Sequence, residues 1–222
     1  MDPRFQKELE QLRVKVLQMA AYTERALDRA MGALKARDSE LARQVIDSDN
    51  EINAMECEVD TLSLRLLALD QPVAMDLRFI VACMRLVVDL ERVGDEAVNI
   101  AEQVLLLARL PFMPYARDIE VLSGQVTGMF RDAIHSFRDQ NPDLARQVCS
   151  ADALADELNM KVLKQSMDTN GAACEAVSLD RSIRMVMVSR SMERIGDLAT
   201  NIAESTIFVA RGVSIKHHCQ PL

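Results

Sequence analysis

Oxygen-bearing side chains recur at a fixed offset along this 222-residue chain. Glu91-Arg92-Val93-Gly94-Asp95 runs on to Asn99 and Glu102, and Glu193-Arg194-Ile195-Gly196-Asp197 runs on to Asn201 and Glu204, 102 residues later. No proline interrupts either copy, and Ala, Glu and Arg favour helix. At about 100° per residue, Glu91, Asp95, Asn99 and Glu102 fall within about 80° of one another, with Val93, Ala97, Ile100 and Val104 opposite. A second pair of oxygen ligands precedes each copy: Asp49 with Asn53, and Asp152 with Asp156, at an offset of 103. Carboxylates one helical turn apart raise each other's cost of ionisation unless a cation lies between them. Two such pairs on neighbouring helices would make an oxygen cage for a divalent or trivalent metal. The candidate ligands are Asp49, Glu91 and Asp95 in the first half, and Asp152, Asp156, Glu193 and Asp197 in the second, with Asn99 and Asn201 as neutral donors one turn further on. The plainer reading is the solvated face of an amphipathic helix. Solvation alone would accept lysine, whereas both copies keep acids and amides.

Other chemistries fit poorly. Glu-x-x-His, H-E-x-x-H and the phosphate-loop pattern are absent, and no Ser, His and Asp line up as a triad. His135 lies within a helical stretch, while His217 and His218 sit beside Cys219 in a tail that is a weak metal candidate, since termini are usually mobile. Arg92 and Arg194 would contact phosphate or, more simply, make surface ion pairs.

The elements that position these groups are long amphipathic helices. The spacing of apolar residues predicts helices over about 5–36, 39–69 (with Ser39 as candidate cap), 74 to just before Pro111, 117–138, a fifth opened by Asn141-Pro142 and ended by Asn170-Gly171, and 179–210, stopped by Gly212. Gln71-Pro72 separates the second from the third. Glu40 to Val45 and Asp143 to Val148 repeat the offset. The joint Pro111-Phe112-Met113-Pro114 divides the chain into residues 1–110 and 111–222. The fold class expected is all-α: two tandem, pseudo-symmetric, antiparallel three-helix bundles.

Composition agrees. Hydrophobic residues make up 49% and aromatic ones 4%, with seven glycines and six prolines. A net charge of −8 and a pI near 5.0 argue against a nucleic-acid binder, which needs a basic surface. No apolar run approaches the roughly 20 residues of a membrane span. The start of the chain lacks the form of a secretion signal. Five scattered cysteines suggest neither disulfides nor zinc, with Cys57 and Cys83 read as small buried residues and a reducing cytoplasm as the location.

These residues resemble the PhoU family of bacterial phosphate-transport accessory and phosphate-regulon regulator proteins. The likeness rests on Leu90 to Asp95 with Asn99 to Glu102, on Met192 to Asp197 with Asn201 to Glu204, and on Gln71-Pro72-Val73-Ala74-Met75-Asp76-Leu77-Arg78. The resemblance implies two similar three-helix bundles and a non-enzymatic cytoplasmic regulator. Such a protein works with the ATPase subunit of the phosphate ABC transporter and with a membrane sensor histidine kinase. It represses the phosphate-starvation response and modulates uptake. Peripheral membrane association through these partners and a homodimer or higher oligomer are also implied. Some members carry multinuclear iron, zinc or other divalent metal on E(D)-x-x-x-D motifs, which match Glu91/Asp95, Glu193/Asp197 and Asp152/Asp156. Asn53 makes the fourth pair a poorer ligand set. Many members place histidine directly after the motif aspartate, where this chain has Glu96 and Leu198. The competing readings are a metal-dependent helical enzyme or a metal-binding protein of unrelated role, and a purely structural bundle.

Overall fold

The computed structural model describes residues 3–111, 117–167, 176–213 and 215. Every regular element among them is an α-helix: α1 (Pro3–Ala36), α2 (Ser39–Asp70), α3 (Ala74–Leu107), α4 (Arg117–Arg138), α5 (Pro142–Met167) and α6 (Ala176–Arg211). The turns that separate α1 from α2 and α4 from α5 are built alike. Arg37 (φ 55°) and Gln140 (φ 49°) reverse the chain in the left-handed region. The next residue then caps the following helix. Asp38 Oδ1 accepts from the amides of Glu40 and Leu41 at 2.9 and 3.0 Å, and Asn141 Oδ1 accepts from those of Asp143 and Leu144 at 3.0 and 3.1 Å. Asn141 is the cap expected. At α2 the cap is Asp38 rather than Ser39: Asp38 holds the extended backbone a cap requires, and Ser39 is already helical. Residues 168–175, including the Asn170-Gly171 stop, and the His217-His218-Cys219 tail lie outside the described residues.

α1, α2 and α3 pack on one another, as do α4, α5 and α6. The halves then join along α3 and α6, with a lesser contact of α1 with α4. α3 and α6 run antiparallel, so that Arg78 meets Gly212, Arg85 meets Phe208, and Glu96 meets Arg194. The result is a layer of four helices in the order α2, α3, α6, α5, backed by α1 and α4. The joint at Pro111–Pro114 falls between α3 and α4, with 112–116 outside the described residues. The buried apolar side chains of both halves nevertheless form one continuous core. Phe79 of α3 stacks on Phe137 of α4 across the join, ring centroids 5.9 Å apart, and the Ser136 and Thr206 hydroxyls meet at 3.1 Å in the interior of the second half.

Each half also holds the far end of the other's long helix. Arg181 of α6 donates to the carbonyl of Pro111 beyond α3, and the Arg78 guanidinium lies against Gly212 where α6 stops (φ 71°). Helix C-termini carry unsatisfied carbonyls and partial negative charge, which arginine complements. Arg37 adds a clamp from the α1–α2 turn, donating to the carbonyls of Leu107, Leu110 and Pro111.

Candidate metal centre

The stripe starting at Glu91 and its mate at Glu193 lie on the solvent side of the α2–α3 and α5–α6 seams. Their opposite faces are the core: Val93, Ala97, Ile100 and Val104, and Ile195, Ala199, Ile202 and Ile207, are all buried. Glycine sets the approach of the paired helices. A Cβ on Gly94 would come within 3.2 Å of Ile52 Cδ1 and 3.6 Å of Asp49 Oδ1. On Gly196 it would meet Asp152 Oδ1 at 3.7 Å. The glycine inside each motif therefore lets the aspartate of the neighbouring helix lie over it, next to the motif's own carboxylates. That role was open to inference from a glycine kept in both copies of a helix, where it costs about 1 kcal/mol relative to alanine.

The electrostatics follow from this crowding. In the first half, burial raises the Glu91 carboxyl above its ordinary range, helped by Asp95, Glu56 and Asp49, while Arg92 opposes the rise. Asp95 is raised by burial, Asp49 and Glu96, again against Arg92. Glu56 is raised by burial, Asp60 and Asp95. It belongs to the cluster as a fourth carboxylate, on the same polar stripe of α2 as Asp49, Asn53 and Asp60. In the second half burial, Asp156, Asp197 and Glu193 push Asp152 up to about 6, and the Thr200 hydroxyl works the other way. Glu193 is raised by burial, Asp197 and Asp156, against Arg190 and Arg194, and Asp197 is raised by burial and Asp156.

The two clusters are related by an exchange. Asn53 and Glu56 on α2 stand where Asp156 and Asn159 stand on α5, so acid and amide trade places. Asn53 donates its amide to Asp49 Oδ2 at 2.9 Å, which leaves Asp49 Oδ1 and Asn53 Oδ1 buried without a hydrogen-bond partner among the described residues. Asn159 is buried and accepts from the Ser189 hydroxyl.

The expected neutral donors lie elsewhere. Each i+4 step advances about 40° around a helix, so the stripe drifts by about 80° between Glu91 and Asn99. Asn99 is exposed and donates to Glu96 Oε2 at 3.1 Å, and Glu96 faces α6. Asn201 lines the groove between α3 and α6. Asp49, Glu91 and Asp95 are thus brought together, as are Asp152, Asp156, Glu193 and Asp197, while Asn99 and Asn201 turn toward the other seam.

The donor set is oxygen throughout, which suits hard cations, and the orphaned Asp49 and Asn53 oxygens are groups a cation would satisfy. Among the described residues no three His, Cys, Asp or Glu side chains converge into a ready-formed cage. Of the cysteines read as buried, Cys83 is, and burial raises its thiol. Cys57 is exposed, because it projects from the side of α2 away from Val59 and Leu62. Among the described residues no helix is long and apolar enough to cross a membrane.

Comparison with known proteins gives a consistent result. A family model described as "PhoU domain" matches twice, over residues 16–104 and 119–206. A phosphate-specific transport system accessory protein PhoU homolog of Pseudomonas putida is 36% identical over 96% of this chain and 83% of its own length. The corresponding Aquifex aeolicus protein is 38% identical over 95% of each chain. The crystal structure of PhoU from Pseudomonas aeruginosa superposes with a TM-score of 0.87 at 34% identity, covering 94% of this chain and all of that one. The phosphate transport system regulatory protein PhoU from Streptococcus pneumoniae gives 0.86 at 25% identity over 95% of this chain and 99% of its own.

Proposed function

The chain belongs to the PhoU family, and from that premise we propose that it is a non-enzymatic cytoplasmic regulator of phosphate homeostasis. It acts with the phosphate ABC transporter, through that transporter's ATPase subunit, and with a membrane sensor histidine kinase. By these contacts it represses the phosphate-starvation response and modulates uptake. The observation that carries this reading is the match of both halves, each with its Glu-Arg-x-Gly-Asp helix, to relatives named as transport accessory proteins over nearly their whole length. Those relatives are named as accessory or regulatory proteins rather than enzymes, and Glu96 and Leu198, not histidine, follow the motif aspartates. Deletion of the gene, read with a phosphate-starvation promoter in phosphate-replete cells, tests it. Expression of the promoter is expected to rise, and unchanged repression would overturn the reading.

The acidic clusters have a place in this proposal. Asp49, Glu91 and Asp95, and Asp152, Asp156, Glu193 and Asp197, would hold iron, zinc or another divalent cation, singly or as a multinuclear group. Bound there, a cation supplies positive charge that offsets the repulsion between carboxylates on adjacent helices. The protein's own part is to keep those carboxylates within one seam, through the close approach at Gly94 and Gly196. Exposed apolar side chains, Leu69, Val73 and Met75 among them, favour association of the chain into dimers or larger assemblies.

A further inference from the structure

The seam between α3 and α6 opens on its solvent side into a groove of about 680 Å³. Its lining is apolar along Met84 and Val88 of α3, Phe208 of α6 and Ile215 beyond. Arg85 and Arg92 stand exposed on the α3 wall, seven residues and so about 10 Å apart along the helix. The Arg85 guanidinium lies 5.2 Å from the centroid of the Phe208 ring. Asp89, between the two arginines, is buried, and Glu204 on the opposite wall is half-buried, so the arginines are the charges most presented outward. On α6 the exposed stripe Ile183, Met187, Arg190 and Arg194 continues the pattern beyond the groove. Val88, Met187 and Ile183 are 42%, 48% and 51% exposed, a large share for side chains of this kind.

The setting of this groove narrows what it takes. One helix width to either side, about 8–10 Å, lie the carboxylate clusters of the α2–α3 and α5–α6 seams. The outward-facing charge across the four-helix layer therefore runs negative, positive, negative, with Asp89 and Glu204 set deeper in the groove and balancing the arginines formally. A nucleic-acid duplex or an anionic bilayer laid on the arginines would press its phosphates against the carboxylates. A single helix, about 10–12 Å across with its side chains, fits between them.

We propose that the α3–α6 groove docks one acidic amphipathic helix of a partner protein. Its apolar side chains rest on Met84, Val88 and Phe208, and its carboxylates meet Arg85 and Arg92. Helix-in-groove recognition of this kind is read by i, i+3, i+4 and i+7 anchors. An acidic partner is repelled by most of a chain of net charge −8, so the arginines fix where it lands. The docking face is defined by the chemistry of its occupant and stands whether or not that occupant belongs to a phosphate system.

The test titrates the full chain with a fluorescein-labelled peptide of about six helical turns, leucine at the i, i+3, i+4 and i+7 positions and glutamate elsewhere. Saturable binding is expected, weakening with salt. The same peptide with lysine for glutamate is expected to bind at least about tenfold more weakly, and the double variant R85E/R92E to lose about tenfold or more. Reversal of an exposed arginine on α2, R43E, is expected to change affinity by less than about twofold. Should R85E/R92E lose its helical circular dichroism, R85Q/R92Q replaces it, with a loss of about threefold or more expected. Absence of saturable binding, equal binding of the lysine peptide, or an equal loss in R43E overturns the proposal. So does binding of phosphatidylglycerol vesicles that R85E/R92E abolishes while peptide binding persists.

Discussion

Glu96 of α3 accepts a hydrogen bond from Arg194 of α6 at 3.0 Å, an ion pair that crosses from one half of the duplicated chain to the other. The pair has no mirror image. The positions related to Glu96 and Arg194 by the internal repeat are Leu198, which is buried, and Arg92, which is exposed in the α3–α6 groove. One arginine of the repeated Glu-Arg-x-Gly-Asp motif therefore tethers the halves, and the other faces the groove.

That asymmetry is measurable. Arg194→Ala is expected to lower stability by about 1 kcal/mol, because it takes the arginine from the buried Glu96 carboxylate and leaves it the Asn99 amide, whereas Arg92→Ala costs less than about 0.5 kcal/mol. A double-mutant cycle with Glu96→Gln, read by urea unfolding, checks it. Zero coupling between positions 96 and 194 would show that the pair is incidental.

Metal-free protein is expected to be more stable near pH 5 than near pH 7. The raised carboxyls, Asp152 foremost at about 6, bind more protons folded than unfolded in this window, so stability falls as pH rises through the folded value. Asp152→Asn removes this penalty and is expected to raise stability at pH 7 by about 1 kcal/mol after allowance for solvent screening, with little gain at pH 4. Thermal melts at the two pH values in chelator decide the sign.

The two motif glycines are expected to respond differently to alanine. At Gly196 the added methyl makes ordinary contacts, so Gly196→Ala is expected to gain about 0.5–1 kcal/mol from helix propensity. At Gly94 the methyl presses on the buried Ile52 side chain at 3.2 Å, which offsets that gain in part or whole. Equal gains at both positions, by denaturant unfolding, would show that Ile52 yields freely.

Cation binding separates ligands from solvated acids. Manganese, zinc or ferrous iron added to protein purified without a histidine tag is expected to raise the melting temperature by mass action. Replacing Glu193 and Asp197 together by lysine is expected to abolish uptake in the second half. Metal content unchanged in that variant, or none in the parent protein, would reject the site.

Light scattering at micromolar concentration and physiological salt is expected to give a dimer or larger species, and a strict monomer would count against association.

Local physics decided much of this protein before any tertiary contact. Periodicity placed six helices, because burying Leu12, Val16 and Met19, or Val93, Ala97 and Ile100, on one side needs only the 3.6-residue turn. Capping chemistry placed Asn141, and the duplicated motif placed both carboxylate clusters, since side chains at i and i+4 share a helix face whatever packs behind them. What lay beyond the sequence was how each polar face is shared between two neighbouring helices and how the two halves pack on one another. The drift of the stripe took Asn99 and Asn201 away from the clusters, since a face wider than one seam must be divided between two neighbours. Glu56 entered the first cluster because α2 lies close enough to α3 for its carboxylate to feel Asp95. The Glu96–Arg194 tether, the cross-held helix ends at Arg78 and Arg181, and the single core shared by two halves arise from the antiparallel packing of α3 on α6. That packing is a contact between residues about a hundred positions apart, and no local spacing encodes it.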